Sequence, residues 1–288
     1  MYVNNSDNLK YENFVCCVNG ELVDPESGSI SALDHSIIVG DGVFETVQVV
    51  DGVPFTLSRH LRRLWFSCEG LGLVPPDENL IRSSLESVLE TSVDAGLVRI
   101  TWSSGPGSLS SSRGGGPGTL IVATQPAKQW PDSEAVHVCR WTRNENAALV
   151  GLKTTSYAEN VLALKAAQEQ GCSEALFLNT AGFLCEGTGS NIFVVIDGTL
   201  VTPPLSSGCL AGITREIVLE LVEVVERDVH PSEFSSISEA FLSSSTRDVI
   251  PISRIDDLAL PNIPGHITSE VVASFAAFKT VEIGHDES

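Results

Sequence analysis

No long apolar run occurs in this chain of 288 residues. A helix that spans a membrane needs roughly 20 consecutive, mostly apolar residues, and no stretch of the sequence approaches that length. The N-terminal segment MYVNNSDNLKYEN is polar and lacks the apolar core of a secretory signal. We therefore expect a cytoplasmic protein that does not associate with membranes.

Basic residues are also scarce. Lys and Arg total 17 against 37 Asp and Glu, which gives a formal net charge of -20. A field of this sign repels nucleic acid and anionic lipid, so neither is an expected partner. The acidity favours solubility and is consistent with a saline habitat. An anionic ligand would have to be held by a local cluster of donors that acts against the overall field.

The seven cysteines show no paired spacing. They are odd in number and scattered, without a Cys-x-x-Cys pair or a Cys/His ligand pattern. This usage is typical of reduced structural thiols in a cytosolic protein, and it predicts neither disulfides nor a metal site.

The first half of the chain contains short strands and amphipathic helices. FVCCVNGELVDP and VFETVQVVDGVPFTL each predict two strands joined by a tight Asn-Gly or Asp-Gly turn. SRHLRRLWFSCEGLGL places Leu61, Leu64, Cys68 and Leu71 on one helical face, and DENLIRSSLESVLETS predicts a second helix. LVRITWSS and TLIVATQP predict strands on either side of GPGSLSSSRGGGPG, which is interpreted as a mobile hairpin loop.

A polar, proline-containing segment, TQPAKQWPDSEA, predicts a linker between two domains. The predicted strands beyond it are VHVCRW, EALFLNT, NIFVVID, TLVTPP and EAFLSSSTRDVIPI, and the predicted helices include TREIVLELVEVVER and TSEVVASFAAFKTVE. Strands dominate both halves with helices alongside, which predicts an α+β fold. The predicted domains are residues 1–125 and 136–288, joined by the linker 126–135.

A lysine stands immediately before a predicted helix in GLKTTSYAENVLALKAAQEQG. Leu162, Ala163, Ala166 and Ala167 recur at helical spacing, and the hydroxyl residues of TTS are typical helix caps. Lys153 follows the apolar run ALVGL, a setting that a solvated lysine does not need. Lys153 is therefore a candidate reagent.

Two other segments carry unusual polar groups. HLRRL places His60, Arg62 and Arg63 on a helix with an apolar opposite face, although a solvated basic face would look the same. GFLCEGTGSNIFVV holds Glu186 at the end of an apolar strand, before a Gly-rich turn and Asn191. A simple turn followed by a strand is the alternative interpretation of that segment.

A further segment, LAGITR, predicts an anion site. Gly212, Ile213 and Thr214 fall at the first turn of a helix, where free backbone N–H groups attract anions. An ordinary helix cap is the alternative. Together with Lys153 and Glu186, these parts match the needs of pyridoxal phosphate: an amine for its aldehyde, a carboxylate for its pyridine nitrogen, and donors for its phosphate.

The order and wording of these motifs resemble the class IV, or fold-type IV, pyridoxal-phosphate enzymes. That family includes branched-chain and D-amino-acid aminotransferases, (R)-amine transaminases and aminodeoxychorismate lyases. The most specific matching segments are GDGVFET, HLRRL, GLKTTSYAEN, EALFLNTAGFLCEGTGSNIF and LAGITRE. The resemblance runs from VNGELV to VIPISRIDD, nearly the whole chain, and implies two β-rich domains with the cofactor at their junction.

Carried over to matching positions, the resemblance implies that Lys153 forms the Schiff base with pyridoxal 5'-phosphate and moves protons between cofactor and substrate. Glu186 would pair with the pyridine nitrogen. Tyr157 would approach the cofactor's 3-hydroxyl, although it lies one residue nearer the lysine than in branched-chain relatives. The implied phosphate ligands are Arg63, the amides of Ile213 and Thr214, the Thr214 hydroxyl and Ser245.

The implied substrate pocket departs from the family pattern. Branched-chain enzymes usually have a tyrosine at the position of Val39, and D-amino-acid enzymes have one at Phe44. Val39, Phe44 and Trp102 would form an apolar pocket wall, unless they are core residues. The sequence is silent on the hand of the substrate, because pocket shape sets it.

Polar candidates for substrate binding come from two segments. Thr246 and Arg247 follow FLSSS, and Arg247 would bind a substrate carboxylate or lie at the surface as an ordinary arginine. Arg113, in the loop between two strands, is a second candidate for the carboxylate, and such loops move on binding. His60 is interpreted as a structural hydrogen-bonding partner rather than a general base.

The resemblance implies a ping-pong aminotransferase acting between an amino acid or amine and a 2-keto acid, in a homodimer. The alternative is an aminodeoxychorismate lyase that releases pyruvate, because the GPGSLSSSRGGGPG loop loosely resembles that branch. A dinucleotide-binding or structural protein is a third possibility. It is disfavoured because this loop lies in a hairpin and lacks the G-x-G-x-x-G order with its following acidic residue.

Overall fold

The computed structural model describes residues 11–286. Within this range the helices are α1 His35–Ile38, α2 Leu57–Leu71, α3 Glu78–Thr91, α4 Ala158–Glu169, α5 Ile213–Leu221 and α6 His266–Asp286. The strands are β1 Val15–Val18, β2 Glu21–Val23, β3 Gly42–Val50, β4 Val53–Pro54, β5 Ala95–Ser103, β6 Thr119–Pro126, β7 Glu134–Arg143, β8 Glu174–Asn179, β9 Leu184–Gly187, β10 Asn191–Ile196, β11 Thr199–Thr202, β12 Val225–Glu226, β13 Ile237–Ser244, β14 Asp248–Ile255 and β15 Leu258–Ala259. The predicted α+β class is confirmed.

The first sheet is antiparallel, with strand order β2-β1-β6-β5-β3-β4. Both predicted hairpins form, and their turns adopt the left-handed conformation that Asn-Gly and Asp-Gly tolerate, with φ of 50° at Asn19 and 51° at Asp51. Helices α2 and α3 cover this sheet. The predicted apolar face of α2 is buried there, because Leu61, Leu64 and Cys68 are each at most 1% exposed.

The second sheet is mixed, with strand order β12-β11-β10-β13-β14-β7-β8-β9, and β15 pairs with β14. The pairs β14–β7, β7–β8 and β11–β12 are parallel. The segment EAFLSSSTRDVIPI, predicted as one strand, forms the two antiparallel strands β13 and β14. The chain reverses at residues 245–247, and Asp248 takes a positive φ of 56°.

Two helix predictions need correction. The helix predicted for TREIVLELVEVVER ends at Leu221, because Val222 returns to extended backbone and the chain forms β12 beside β11. On α4 the predicted apolar face is only partly buried, since Leu162 is 54% exposed. The hydroxyls of Thr155 and Ser156 do not cap α4; both donate to the Gly40 carbonyl and tie this segment to the end of α1.

The two sheets are joined by the segment that follows β6 and precedes β7. This segment overlaps the predicted linker, and the division into domains 1–125 and 136–288 stays a prediction; residues 1–10 and 287–288 lie outside the described residues. Side chains connect the halves: Arg59 on α2 donates to Glu216 and Glu220 on α5 at 2.7–3.0 Å. Among the described residues, no helix is long and apolar enough to cross a membrane.

Candidate active site

A cavity of about 1140 Å³ lies where the two halves meet. It is lined by β3, β5 and α2 of the first half, and by the Lys153 segment, the β9–β10 turn, the start of α5 and the β13–β14 turn of the second. The predicted site residues that line it are Val39, Phe44, Arg63, Lys153, Tyr157, Glu186, Ile213, Thr214, Ser245, Thr246 and Arg247. Trp102 and Arg113 do not line it.

Lys153 is held by its backbone at the centre of this cavity. Its N–H donates to the Ser67 hydroxyl on α2 at 3.1 Å, and its carbonyl accepts from the Phe44 N–H on β3 at 3.0 Å. Burial lowers the pKa of the Lys153 ammonium, and the charge of Arg63 lowers it further, to about 8. The uncharged fraction of the amine near neutral pH is therefore much larger than in an ordinary lysine, which suits a nucleophile or base.

Arg63 is oriented by a buried carboxylate that sequence reasoning missed. Glu45 accepts from Arg63 Nε at 2.7 Å and Nη2 at 2.6 Å, and from His60 Nδ1 at 2.7 Å. Burial alone would raise the pKa of Glu45, but Arg63 and His60 outweigh it and hold the pKa at about 2. His60 is thus a structural partner, as expected, and the motif GDGVFET contained the signal for Glu45.

Glu186 lies at the end of β9, between a backbone N–H donor and an arginine. Its Oε2 accepts from the Leu210 N–H at 2.9 Å, and its Oε1 lies 3.2 Å from Arg143 Nε. Burial raises the pKa of Glu186, while Arg143 opposes that change. A buried carboxylate near a protonated ring nitrogen would gain a strong charge-assisted hydrogen bond. Arg143 is another cavity residue that sequence reasoning missed.

The first turn of α5 is the candidate anion cradle. The N–H groups of Ile213 and Thr214 head this helix, where the first turn has no intrahelical acceptor. A Cβ at Gly212 would lie 2.0 Å from Asn191 Oδ1, so only glycine allows this close approach. Arg63 Nη1 donates to the Ala211 carbonyl at 2.9 Å, which brings its guanidinium beside the cradle.

Hydroxyl groups of the β13–β14 region also face the cavity. Ser245 and Thr246 line it, and their roles as a phosphate ligand and a substrate ligand stay predictions. Ser243, which was not predicted, has a buried hydroxyl with no hydrogen-bond partner among the described residues. A bound ligand that accepts or donates a hydrogen bond would supply the partner that this hydroxyl lacks.

Tyr157 and Lys153 both lie against the ring of Phe44. The Tyr157 ring meets that of Phe44 edge to face with centroids 5.3 Å apart, and its hydroxyl donates to the Thr188 carbonyl at 3.1 Å. Burial raises the pKa of the phenol to about 12, so it remains a donor near neutral pH.

The structure places two predicted substrate residues elsewhere. Trp102 packs against the hydrophobic core between the first sheet and its helices, and its Nε1 donates to the Val74 carbonyl at 2.9 Å. Arg113 makes a two-point contact with the Asp41 carboxylate at 2.6 and 2.8 Å and donates to the carbonyls of Leu71 and Gly72. The loop interpreted as mobile is therefore anchored to the C-terminal end of α2.

Arg247 is buried and already has two carboxylate partners, Glu134 and Glu174. The alternative of an ordinary surface arginine is therefore wrong, and binding of a substrate carboxylate by Arg247 stays a prediction. The cavity nevertheless gathers positive charge. Six of the 17 basic residues line it, namely Arg63, Arg99, Lys128, Arg143, Lys153 and Arg247, against the carboxylates Glu159, Glu174 and Glu186. This is the local donor cluster that the acidic composition requires for an anionic ligand.

Comparison with known proteins agrees with this geometry. The family model for amino-transferase class IV matches residues 42–255. A putative branched-chain-amino-acid aminotransferase of Methanocaldococcus jannaschii is 30% identical over 275 residues, covering 91% of this chain and 96% of that protein. A D-alanine aminotransferase of Bacillus licheniformis is 28% identical over 272 residues, with coverages of 88% and 93%.

A solved structure supports the same conclusion. The branched-chain aminotransferase from the archaeon Thermoproteus uzoniensis, crystallised with norvaline, superposes with a TM-score of 0.85 at 27% identity, covering 93% of this chain and 95% of that one. The chain belongs to the class IV aminotransferases. It is a pyridoxal-phosphate-dependent transaminase with the fold-type IV architecture.

The residues present fit pyridoxal phosphate. The buried amine of Lys153, the cradle at Gly212 and the unpartnered hydroxyl of Ser243 face one cavity. Its volume of about 1140 Å³ leaves space for a cofactor together with a small substrate.

Proposed function

We propose that this protein exchanges amino groups between an amino acid or primary amine and a 2-keto acid in a ping-pong sequence, with Lys153 as the residue that holds the cofactor. The observation that carries the proposal is the buried Lys153 amine, whose pKa is lowered to about 8. Bound pyridoxal phosphate supplies an aldehyde that reacts with amines and a ring that withdraws electrons. The uncharged Lys153 amine then serves as the base that takes and returns protons at the substrate carbon.

The other residues bind and orient in this proposal. Arg63, the first turn of α5 and Ser245 hold the phosphate, and Ser243 adds a further hydroxyl. Glu186 would hold a proton on the pyridine nitrogen, because an ionised carboxylate stabilises a neighbouring cation, and Arg143 and the Leu210 N–H favour the ionised form against the effect of burial. Tyr157 stays protonated, and its ring supports the cofactor side of the cavity together with Phe44.

The proposed substrate carries a carboxylate and an apolar side chain. Arg99 on β5 stacks on the Phe44 ring at 3.6 Å from its centroid, and no carboxylate in the described part of the chain forms an ion pair with it. It is therefore free to bind a substrate carboxylate. The surrounding wall is apolar, with Val39 and Phe44 from the prediction and Trp130 from the segment between the sheets.

A homodimer is part of the proposal. Several large apolar side chains on segments that line the cavity are exposed, which is unusual unless a partner covers them. They are Ile37 at 59%, Val39 at 44%, Val161 at 63% and Leu162 at 54%. A second copy of the chain is the partner expected in this family. Size-exclusion chromatography with light scattering would contradict this part if only monomer is present.

The proposed location is the cytoplasm, without nucleic-acid or membrane partners. All seven cysteines are free thiols, as is typical of a reducing compartment. The net charge of -20 opposes contact with polyanions and anionic lipid.

The visible absorbance of the protein with pyridoxal phosphate tests the function. D-alanine, L-leucine and (R)-1-phenylethylamine are added separately, followed by a 2-keto acid. One accepted donor should remove the band of the bound cofactor, and the keto acid should restore it. Lys153→Ala should abolish turnover, even if it retains some cofactor, whereas Lys165→Ala, an exposed lysine on α4, should behave as wild type.

Two results would overturn the proposal. If Lys153→Ala turned over as fast as the wild-type protein, Lys153 would not be the residue that holds the cofactor and transfers protons. Pyruvate release from aminodeoxychorismate without any keto acceptor would identify the lyase reaction instead.

A further inference from the structure

Arg247 lies in the tight connection between β13 and β14, on the wall of the cavity. Its side chain is only 8% exposed, and its guanidinium forks between two carboxylates. Nη1 donates to Glu134 Oε2 at 2.7 Å, and Nη2 donates to Glu174 Oε2. Both carboxylates are buried, so this single cation balances two charges that water does not reach.

Glu174 connects Arg247 to the Gly-rich turn of the site. Its Oε1 accepts from the Thr188 N–H at 3.0 Å and from the Thr188 hydroxyl, and its Oε2 accepts from the Ser190 hydroxyl at 3.1 Å. This turn joins Glu186 at the end of β9 to Asn191 at the start of β10. A carboxylate that accepts from both sides of the turn fixes its shape, and the turn positions both cavity residues.

Arg247 also lies over the ring of Trp130. Its guanidinium carbon lies 5.2 Å from the ring centroid of Trp130, and the amine of Lys128 lies 4.1 Å from the same centroid. Trp130 belongs to the segment that joins the two sheets, and it lines the cavity. Arg247 therefore touches three separate parts of the cavity wall: its own turn, the 187–190 turn through Glu174, and the connecting segment.

We propose that Arg247 is a positioning residue that fixes the substrate-facing walls of the cavity and does not itself bind the substrate carboxylate. A substrate carboxylate at Arg247 would be a third anion beside one guanidinium, and it would have to displace a buried carboxylate that has no alternative cation. The planar fork of arginine spans two carboxylates at once, which the single ammonium of lysine does not do. This inference rests on the proposed transaminase function.

The test compares Arg247→Lys and Glu134→Gln with wild type and with Arg227→Lys. Arg227 is the control, because it is also an arginine with a carboxylate partner, Glu233 at 2.9 Å, but lies away from α5 and does not line the cavity. Steady-state kinetics are measured with the accepted amino-acid donor and with its decarboxylated amine, the amine being measured as a competitive inhibitor where it does not turn over. Hydrogen exchange of the cofactor-free protein reports on residues 187–190.

Arg247→Lys should raise the KM of the amino acid and the KM or Ki of the amine by the same factor, about 10-fold, with a smaller change in kcat. It should also speed hydrogen exchange at residues 187–190. Glu134→Gln should change the KM or Ki values and the exchange rate in the same direction but by smaller factors, because it keeps the contact between Arg247 and Glu174. Arg227→Lys should leave both quantities at the wild-type values, even if it lowers the melting temperature.

A loss confined to the amino acid, with the amine unaffected, would overturn the inference and make Arg247 the carboxylate receptor. Unchanged exchange at residues 187–190 in Arg247→Lys would overturn it as well. The exchange experiment needs no activity, so it distinguishes failure of this inference from failure of the transaminase function, which would show as a wild-type protein inactive with every donor.

Discussion

Individual side chains in this site act through charges that their neighbours supply. Lys153 shows this most directly: burial disfavours its ammonium form and Arg63 repels it, while Glu45 and Glu186 act in the opposite direction. Arg63 in turn is held by Glu45, so one carboxylate orients this arginine and moderates the lysine. A change at any member of this group alters the others, because the group shares one buried volume.

The lowered pKa of Lys153 predicts a pH dependence for loading of the cofactor. Only the uncharged amine attacks an aldehyde, so the rate of covalent attachment of pyridoxal phosphate to cofactor-free protein should rise with pH and level off above about 8. Stopped-flow absorbance between pH 6.5 and 10.5 measures this rate. A midpoint near 10.5, the ordinary value for lysine, would contradict the electrostatic account of the site.

Segments of the chain make their own contributions, and the start of α5 is one of them. Gly212→Ala should weaken retention of pyridoxal phosphate by about 10-fold or more, because the new Cβ would meet Asn191 Oδ1 at 2.0 Å and displace the helix start. Equilibrium dialysis followed by absorbance measures the retention. Gly116→Ala is the control, since nothing lies within 4 Å of its Cβ position. Equal retention in the two variants would show that this glycine is not required.

The loop between β5 and β6 is the second such segment. Arg113→Gln should release it, because the two-point contact with Asp41 and the contacts with the end of α2 are lost together. Hydrogen exchange at residues 104–118 should accelerate by about 10-fold or more. Arg82→Gln, which removes an exposed ion pair on α3, should leave that exchange unchanged. Fast exchange in the wild-type protein would restore the interpretation of a mobile loop.

The molecule as a whole carries a charge of -20 and concentrates six basic residues in one cavity. Repulsion among surface carboxylates opposes the compact state at low ionic strength, and salt screens it. The melting temperature should therefore rise by about 5 °C between roughly 0.01 and 0.5 M NaCl, a range over which the screening length falls several-fold. Differential scanning calorimetry measures the change.

A charge-reduced variant is the matched control for that prediction. Glu86→Gln with Glu90→Gln removes two carboxylates spaced one helical turn apart on α3. It should melt higher than wild type at low salt and respond less to added NaCl. A melting temperature that is independent of salt in both proteins would show that repulsion among surface carboxylates does not measurably lower the stability of the folded state.

The features that could be predicted from the sequence are those that depend only on residues close together in the chain. Hairpin turns, the apolar face of α2 and the start of α5 depend on neighbouring residues, so their spacing along the chain was sufficient. The motif order also predicted the α+β class and the cofactor, and most of the site residues it predicted do line the cavity. Two predictions were wrong: that α5 continues past Leu221, and that Leu162 belongs to a buried face. The sequence stays apolar after α5 ends, and Leu162 faces outward, because contacts with other segments decide both outcomes.

Contacts between distant segments were decided only by the tertiary structure. Glu45 meets Arg63 from a different element, and Glu134 and Glu174 meet Arg247 from 113 and 73 residues away, so no local pattern marks these pairs. The same reason explains why Trp102 packs on the core and why Arg113 is tied to Asp41 rather than left for a substrate. The amino-acid sequence determined which chemical groups are present and which local segments form. Folding selected which charges neutralise one another and which remain available to a ligand, because buried charges need partners that only the packed chain supplies.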